Sequence, residues 1–207
     1  DVMESVPASA TKTFEKDSTV QAYNKAGSVI QQFTIPSNVK HFEAGTEEGT
    51  LRRQAVSMAI NRQNICDKVL NGTGTPAADF TSPLTPGYSD SLTGSDNLKY
   101  NEKKAKELWD KANAISPWTA DDKLTFAYNA DGGHEVIYTA VVNSINNVLG
   151  DGVAATNPYP TFNDFRTAVS DRKVNGAFRS GWQPDYPSAE NYLMQNFASL
   201  AADGNGS

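Results

Sequence analysis

The sequence has one cysteine, two histidines and few basic residues, and each scarcity excludes something. A single Cys66 cannot form an intrachain disulfide. It lies in INRQNICDKVL, in step with Ile60, Ile65, Val69 and Leu70, which reads as a buried structural thiol. No stretch approaches the ~20 consecutive apolar residues of a membrane helix, and no signal-peptide pattern opens the chain. Lys and Arg number 18 against 24 Asp and Glu, for a formal net charge of −6. The basic residues are scattered, with Arg52–Arg53, Lys103–Lys104 and Arg172–Lys173 as mere pairs. Nucleic-acid binding needs clustered cations to displace condensed counterions, so a nucleic-acid partner is excluded.

What is present is the composition of a folded chain. The 207 residues can bury one sizeable core, and 38% hydrophobic against 20% charged residues favours folding over disorder. The chain opens on DVMESVPASA and stops at ADGNGS, which closes no element. We read it as a piece of a longer chain, so the missing signal carries little information about compartment.

The organisation is a βα alternation. PASATKTFEKD predicts a helix with Pro7 near its start. VQAYNKAGSVIQQFTIP, broken at Lys25–Gly27, predicts two extended pieces, Thr19–Tyr23 and Ser28–Ile35. Pro36 to Gly49 reads as loop. Leu51, Ala55, Met58, Ala59 and Arg62 recur at helical spacing, with Thr50 as the expected N-cap. Asn61 breaks that pattern, Arg62–Leu70 resumes it and Gly72 ends it. Residues 73–97 carry Pro76, Pro83 and Pro86 and read as a long functional or surface-packed loop. Asn101 caps the amphipathic helix EKKAKELWDKANA, with Ala105, Leu108, Trp109 and Ala112 on one face.

The second half alternates more regularly. LTFAYNA (124–130) is a predicted strand, and HEVIYTAVVNSINNVL (134–149) a helix closed by Gly150. VAATNPY (153–159) is the next strand, and such a βαβ unit is parallel and right-handed. Thr161 caps FNDFRTAVSDR, the strand VNGAFRSGW follows, and SAENYLMQNFAS is a last helix from Ser188 with Glu190 in its first turn. Internal repeats and low-complexity tracts are absent.

Several motifs fail when examined. His134-Glu135 opens HEVIY, which lacks the second histidine of HExxH, and His41 lies in a distant loop, so zinc catalysis is disfavoured. Asp131 to His134 read instead as a strand-to-helix turn. NGTGTP (71–76) has no GK[ST] and reads as a helix C-cap followed by a turn. Ser57 and Ser180 have no GxSxG elbow. Asn71-Gly72-Thr73 and Asn205-Gly206-Ser207 match a glycosylation sequon that is common by chance. Asp185 and Glu190 are the best carboxylate pair for a hydrolase, but five residues apart across a strand-to-helix turn they point different ways. Trp109 and Trp118 read as structural.

One stretch remains: RSGWQPDYPSAENYL (179–193). Pro184 and Pro187 restrict the backbone on both sides of Asp185, and Trp182 stands at the end of a strand, where α/β sheets bind ligands. Arg179 lies three residues earlier. One acid, one aromatic platform and one base suit a zwitterion such as a peptide. The competing reading is a turn whose Asp caps the following helix.

LRRQAVSMAINRQNICDKVLNGTGTPA is similar to the helix signature of the peptide-binding ABC-transporter solute-binding proteins, family 5: Arg-Gln-Ala-x-x-x-Ala-Ile-Asp/Asn-Arg and a Gly-rich turn. YNEKKAKELWDKA resembles the family's tyrosine–asparagine start and Ala-Lys-x-Leu helix, and DVMESVPA its approach to the hinge. GWQPDYPSAENYL resembles its Gly-Trp-x-x-Asp-Tyr/Asn motif, with Gln183-Pro184 in place of small or variable residues; Asn61 stands where many members have Asp.

The resemblance implies an α/β lobe of the periplasmic-binding-protein type II, with a mixed central sheet flanked by helices. Residues 1–35 would be a hinge-proximal segment with the first strands, and 36–207 the second lobe of a two-lobe protein. It implies a non-enzymatic receptor capturing peptides for an ABC-transporter permease, extracytoplasmic, either periplasmic or a surface lipoprotein, without a cofactor. Asp185 would hold the peptide α-amino group and Trp182, Gly181 and Tyr186 would line the cleft. Arg179 would serve the ligand carboxylate, a role that is not universal in the family. The first lobe of the same protein would complete the site. The same fold as a receptor for signalling peptides or metal chelates is the near alternative, and a carboxylate hydrolase the distant one.

Overall fold

Three parallel strands and one antiparallel edge strand form the sheet, in the order β1-β4-β2-β3. The strands are β1 (Ile30–Thr34), β2 (Leu124–Asn129), β3 (Ala154–Tyr159) and β4 (Ala177–Trp182). The structure is a computed structural model and describes residues 6–198. Most of the DVMESV opening and the sequon at Asn205 lie outside the described residues. Among the described residues no helix is long and apolar enough to cross a membrane.

The helices are α1 (Ala8–Lys16), α2 (Glu47–Ala59), α3 (Arg62–Asn64), α4 (Glu102–Ile115), α5 (Glu135–Leu149), α6 (Phe162–Ser170) and α7 (Ala189–Phe197). A π-helical turn, Ile65–Val69, continues α3. Two predicted caps hold: Asn101 accepts from the Lys104 N–H and Thr161 from that of Asp164; Ser188, expected only as the start of the last helix, also caps it by accepting from the Glu190 N–H. Each offers a side-chain oxygen to an otherwise orphaned first-turn donor.

Two local expectations are corrected. Thr19–Tyr23 forms no strand: it is exposed, it has no partner strand, and its β-branched and aromatic residues bury nothing. β propensity without a pleated surface to pack against is weak. Helix α2 is capped by Thr46, whose hydroxyl accepts from the Gly49 N–H, and Thr50 instead donates to the Thr46 carbonyl. The acidic Glu47 and Glu48 occupy the first turn, where the helix dipole favours them.

The sheet is covered on both faces. Phe33, Phe126, Tyr128 and Tyr138 make ring contacts that join β1 and β2 to α5, and Asn146 of α5 bonds both polar groups of the Ala154 backbone on β3. Strand alternation turns Ala127, Asn157 and Tyr159 to the other face, where Tyr159 meets Phe165 of α6. The core continues from α5 into α2 and α4, with Ala55, Ala59 and Ala105 fully buried between them. Small residues there allow close helix approach.

The carboxyl ends of β2, β3 and β4 share one edge of the sheet, ending at Asn129, Tyr159 and Trp182. Gly176 admits β4 to the sheet. Its φ of 145° is strained for any other residue, and a Cβ there would strike Thr125. The predicted strand therefore begins at Ala177 and not at Val174.

Candidate functional site

At the end of β4 the chain turns through Gln183–Pro187 into α7. The Asp185 carboxylate does not cap that helix; Ser188 does. Asp185 is exposed, and its Oδ2 accepts from Asn191 Nδ2 at 3.5 Å, the long limit of a hydrogen bond. Asn191 Oδ1 accepts twice, from the Trp182 indole Nε1–H at 2.8 Å and from the Asp185 backbone N–H at 3.2 Å. One buried amide therefore joins the strand end, the acidic turn and the first turn of α7. Trp182 is half-buried and Tyr186 is exposed.

Gly181 has a packing reason. It lies opposite Gln31 in the antiparallel pair, and a Cβ there would stand 3.0 Å from the Ile30 carbonyl oxygen. That is tight enough to push β1 away from β4, so glycine keeps Trp182 in register with Ile30.

Arg179 takes the opposite face. Its strand partner is Phe33, on the α5 side of the sheet. Its positive charge acts on His134 and Tyr138 of that side. Burial, and then the Arg179 charge, holds the His134 imidazole below its usual pKa, partly offset by Asp131. Burial likewise pushes the Tyr138 phenol well up. The buried Arg179 Nε has no hydrogen-bond partner among the described residues. His134 is also the N-cap residue of α5, which has no side-chain cap.

Trp182 and Asp185 are thus brought together, with Gly181 beside them, while Arg179 stands with His134 on the far face of the same strand end. Two residues escaped the sequence reading. Asn191 draws no notice within SAENYLMQNFAS, where its one signal is a carboxamide in the first turn after Ser188. His134 reads in the sequence as the end of a strand-to-helix turn, and only the sheet order brings it to Arg179. Among the described residues, no group of three or more His, Cys, Asp and Glu side chains is placed to hold a metal ion.

A family model described as bacterial extracellular solute-binding proteins, family 5 Middle, matches residues 1–204. The periplasmic oligopeptide-binding protein OppA of Salmonella typhimurium is 32% identical over 146 residues, covering 68% of this chain and 25% of that protein. The dipeptide-binding protein DppE of Bacillus subtilis is 26% identical over 193 residues, covering 91% of this chain and 33% of that protein. The chain thus spans a quarter to a third of the length of these curated relatives. Among solved structures, the Escherichia coli murein tripeptide binding protein MppA superposes with a TM-score of 0.75 at 22% identity, over 97% of this chain and 38% of that one. The fold is therefore that of part of a periplasmic binding protein.

Proposed function

The chain belongs to the family 5 bacterial extracellular solute-binding proteins, and from that premise we propose that it is the second α/β lobe of a receptor that captures peptides for an ABC transporter. Residues 36–207 make the body of the lobe, and residues 1–35 lead from the hinge and carry β1, the antiparallel edge strand of its sheet. The other lobe of the same protein closes over the ligand, and a membrane permease receives it. The receptor works outside the cytoplasm, periplasmic or tethered as a lipoprotein, and releases its peptide intact.

The observation that carries this reading is the state of Asp185. Its carboxylate is exposed at the sheet edge, its backbone is fixed by Asn191, and the helix cap is supplied by another residue. An acid fixed in place and not consumed by local structure is preorganised for a cation. The α-ammonium of a peptide is such a cation, and Trp182, Gly181 and Tyr186 flank its place. Arg179 on the other face takes a ligand carboxylate. The relatives OppA, an oligopeptide-binding protein, and DppE, a dipeptide-binding protein, support the ligand class.

The test is calorimetry on the full-length protein with a free and an N-acetylated tripeptide. A charge-assisted hydrogen bond contributes ~1.5–3 kcal/mol, so acetylation or Asp185→Asn should weaken binding roughly ten- to hundredfold. Equal affinity of the wild type for the two peptides removes Asp185 from the site. Appearance of cleaved peptide would make the protein an enzyme and end the receptor reading.

A further inference from the structure

We propose that Asn191 is a positioning residue of the ligand site, setting Trp182 and Asp185 without touching the ligand itself. The proposal rests on the peptide-capture reading above. Asn191 is 3% exposed, so its amide works inside the protein. Both of its Oδ1 contacts are with groups that can only donate, the Trp182 indole N–H and the Asp185 backbone N–H. That fixes which end of the amide is oxygen. The Nδ2 end must then face Asp185 Oδ2, where it is 3.5 Å away.

Three consequences follow from this orientation. The indole plane is tied to the start of α7, so the cleft aromatic does not swing. The backbone of Asp185 is tied to the same atom, so acid and ring move as one unit. The amide donor engages Oδ2 of the carboxylate and leaves Oδ1 for a cation. Groups held this way meet a ligand without further ordering, and ordering a rotamer-rich side chain costs ~0.5–1.5 kcal/mol.

The chemistry separates this role from mere packing. Asn191→Leu keeps the branched shape at a larger volume and removes all three contacts. Asn191→Asp keeps an acceptor for Trp182 and for the Asp185 N–H, but places an oxygen where Nδ2 stood, facing a second carboxylate. Two carboxylates in one site resist joint ionisation and titrate as a coupled pair at raised pKa.

The experiment uses the full-length protein with trialanine and N-acetyl-trialanine. Asn191→Leu should weaken trialanine binding roughly tenfold, the loss of one or two preorganised contacts, and leave the acetylated peptide nearly unaffected. In the Asp185→Asn background the same change should cost much less, because the pair acts as a unit. Relative to the wild type at the same pH, Asn191→Asp should bind trialanine more tightly as pH rises from about 5.5 to about 7.5; taking the ratio cancels the titration of His134 and of the peptide amine, which both proteins share. That pH profile also serves if the leucine variant fails to fold. A wild type that discriminates the two peptides, beside variants that discriminate equally well and follow the wild-type pH profile, overturns the Asn191 role alone. A wild type that treats the peptides alike overturns the peptide reading and this proposal together.

Discussion

Arg179 and Trp182, three residues apart on β4, face opposite sides of the sheet. Arg179 is opposite Phe33 and acts on His134 and Tyr138, while Trp182 bonds Asn191 of α7. Arg179 and the Asp185 turn therefore share no partner. On the proposed peptide-capture function, Arg179→Ala and Asp185→Asn in the full-length protein should weaken peptide binding additively, within ~0.5 kcal/mol. Arg179→Ala should lose its effect on a C-terminally amidated peptide, and Asp185→Asn on an N-acetylated one. Calorimetry on the single and double variants checks this, and a strong non-additive term would place both residues on one ligand group.

Helix packing gives a second prediction. Ala55 is fully buried, on the α2 face that meets α4. Ala55→Leu inserts three carbons where no space exists, so it should destabilise by ~1–3 kcal/mol. A urea midpoint that barely moves would mean that the two helices separate freely.

The parts of this fold that could be read in the sequence are those whose causes are local. The spacing of Ala105, Leu108, Trp109 and Ala112 identified α4, because one apolar stripe has one solution on a helix. Asn101 and Thr161 are legible as caps, because a cap is a side chain bonding its own next turn. Thr46 was missed because Glu47, Glu48 and Gly49 make the first turn of α2 look like loop. Arg52–Arg53 reads in the sequence only as one of the scattered basic pairs. Yet Arg52 is fully buried, and Arg53 donates to the Ile35, Pro36 and Phe42 carbonyls. The position of Asp185 was legible through its prolines. The facing of Arg179 and the bonds of Asn191 were not, since both depend on which strand and helix become neighbours.

His134 gives a pH prediction. Its folded pKa lies below the ordinary 6.5, first through burial and then through Arg179. Below pH 6.5 the unfolded chain therefore binds more protons at this site than the folded one, and stability rises with pH there. The contribution is fully present above the unfolded pKa and declines as pH falls through it. His134→Asn should flatten that part of the profile. Comparing urea midpoints of wild type and variant at about pH 7.5 and about pH 5.5 isolates the site from other titrating groups. An identical acid loss in both proteins would show that His134 is not desolvated.

The last prediction concerns the most buried charge. The Arg52 guanidinium lies between two indoles, its Cζ 4.4 Å from the Trp109 centroid and 5.0 Å from that of Trp118. Its Nε donates to Glu48 Oε1 at 2.8 Å, and its Nη2 to the Asn113 side chain and the Ser116 carbonyl. Its buried Nη1 has no hydrogen-bond partner among the described residues, and the two indole faces take that share of the charge. Glu48 also accepts from His41 Nδ1 at 2.7 Å, so the arginine anchors the loop before α2 as well as the helix. Arg52→Met strands Glu48 beside a buried histidine, and removing one partner of a buried pair costs ~3–5 kcal/mol. Arg52→Lys should recover little, because an ammonium cannot fork to Asn113 and Ser116 while stacking on both rings. The double change Glu48→Leu with Arg52→Met removes the stranded charge and should lie closer to the wild type than Arg52→Met alone. Urea denaturation of these variants decides the matter. A lysine variant as stable as the wild type would show that charge alone, and neither the fork nor the stacking, holds this corner of the lobe.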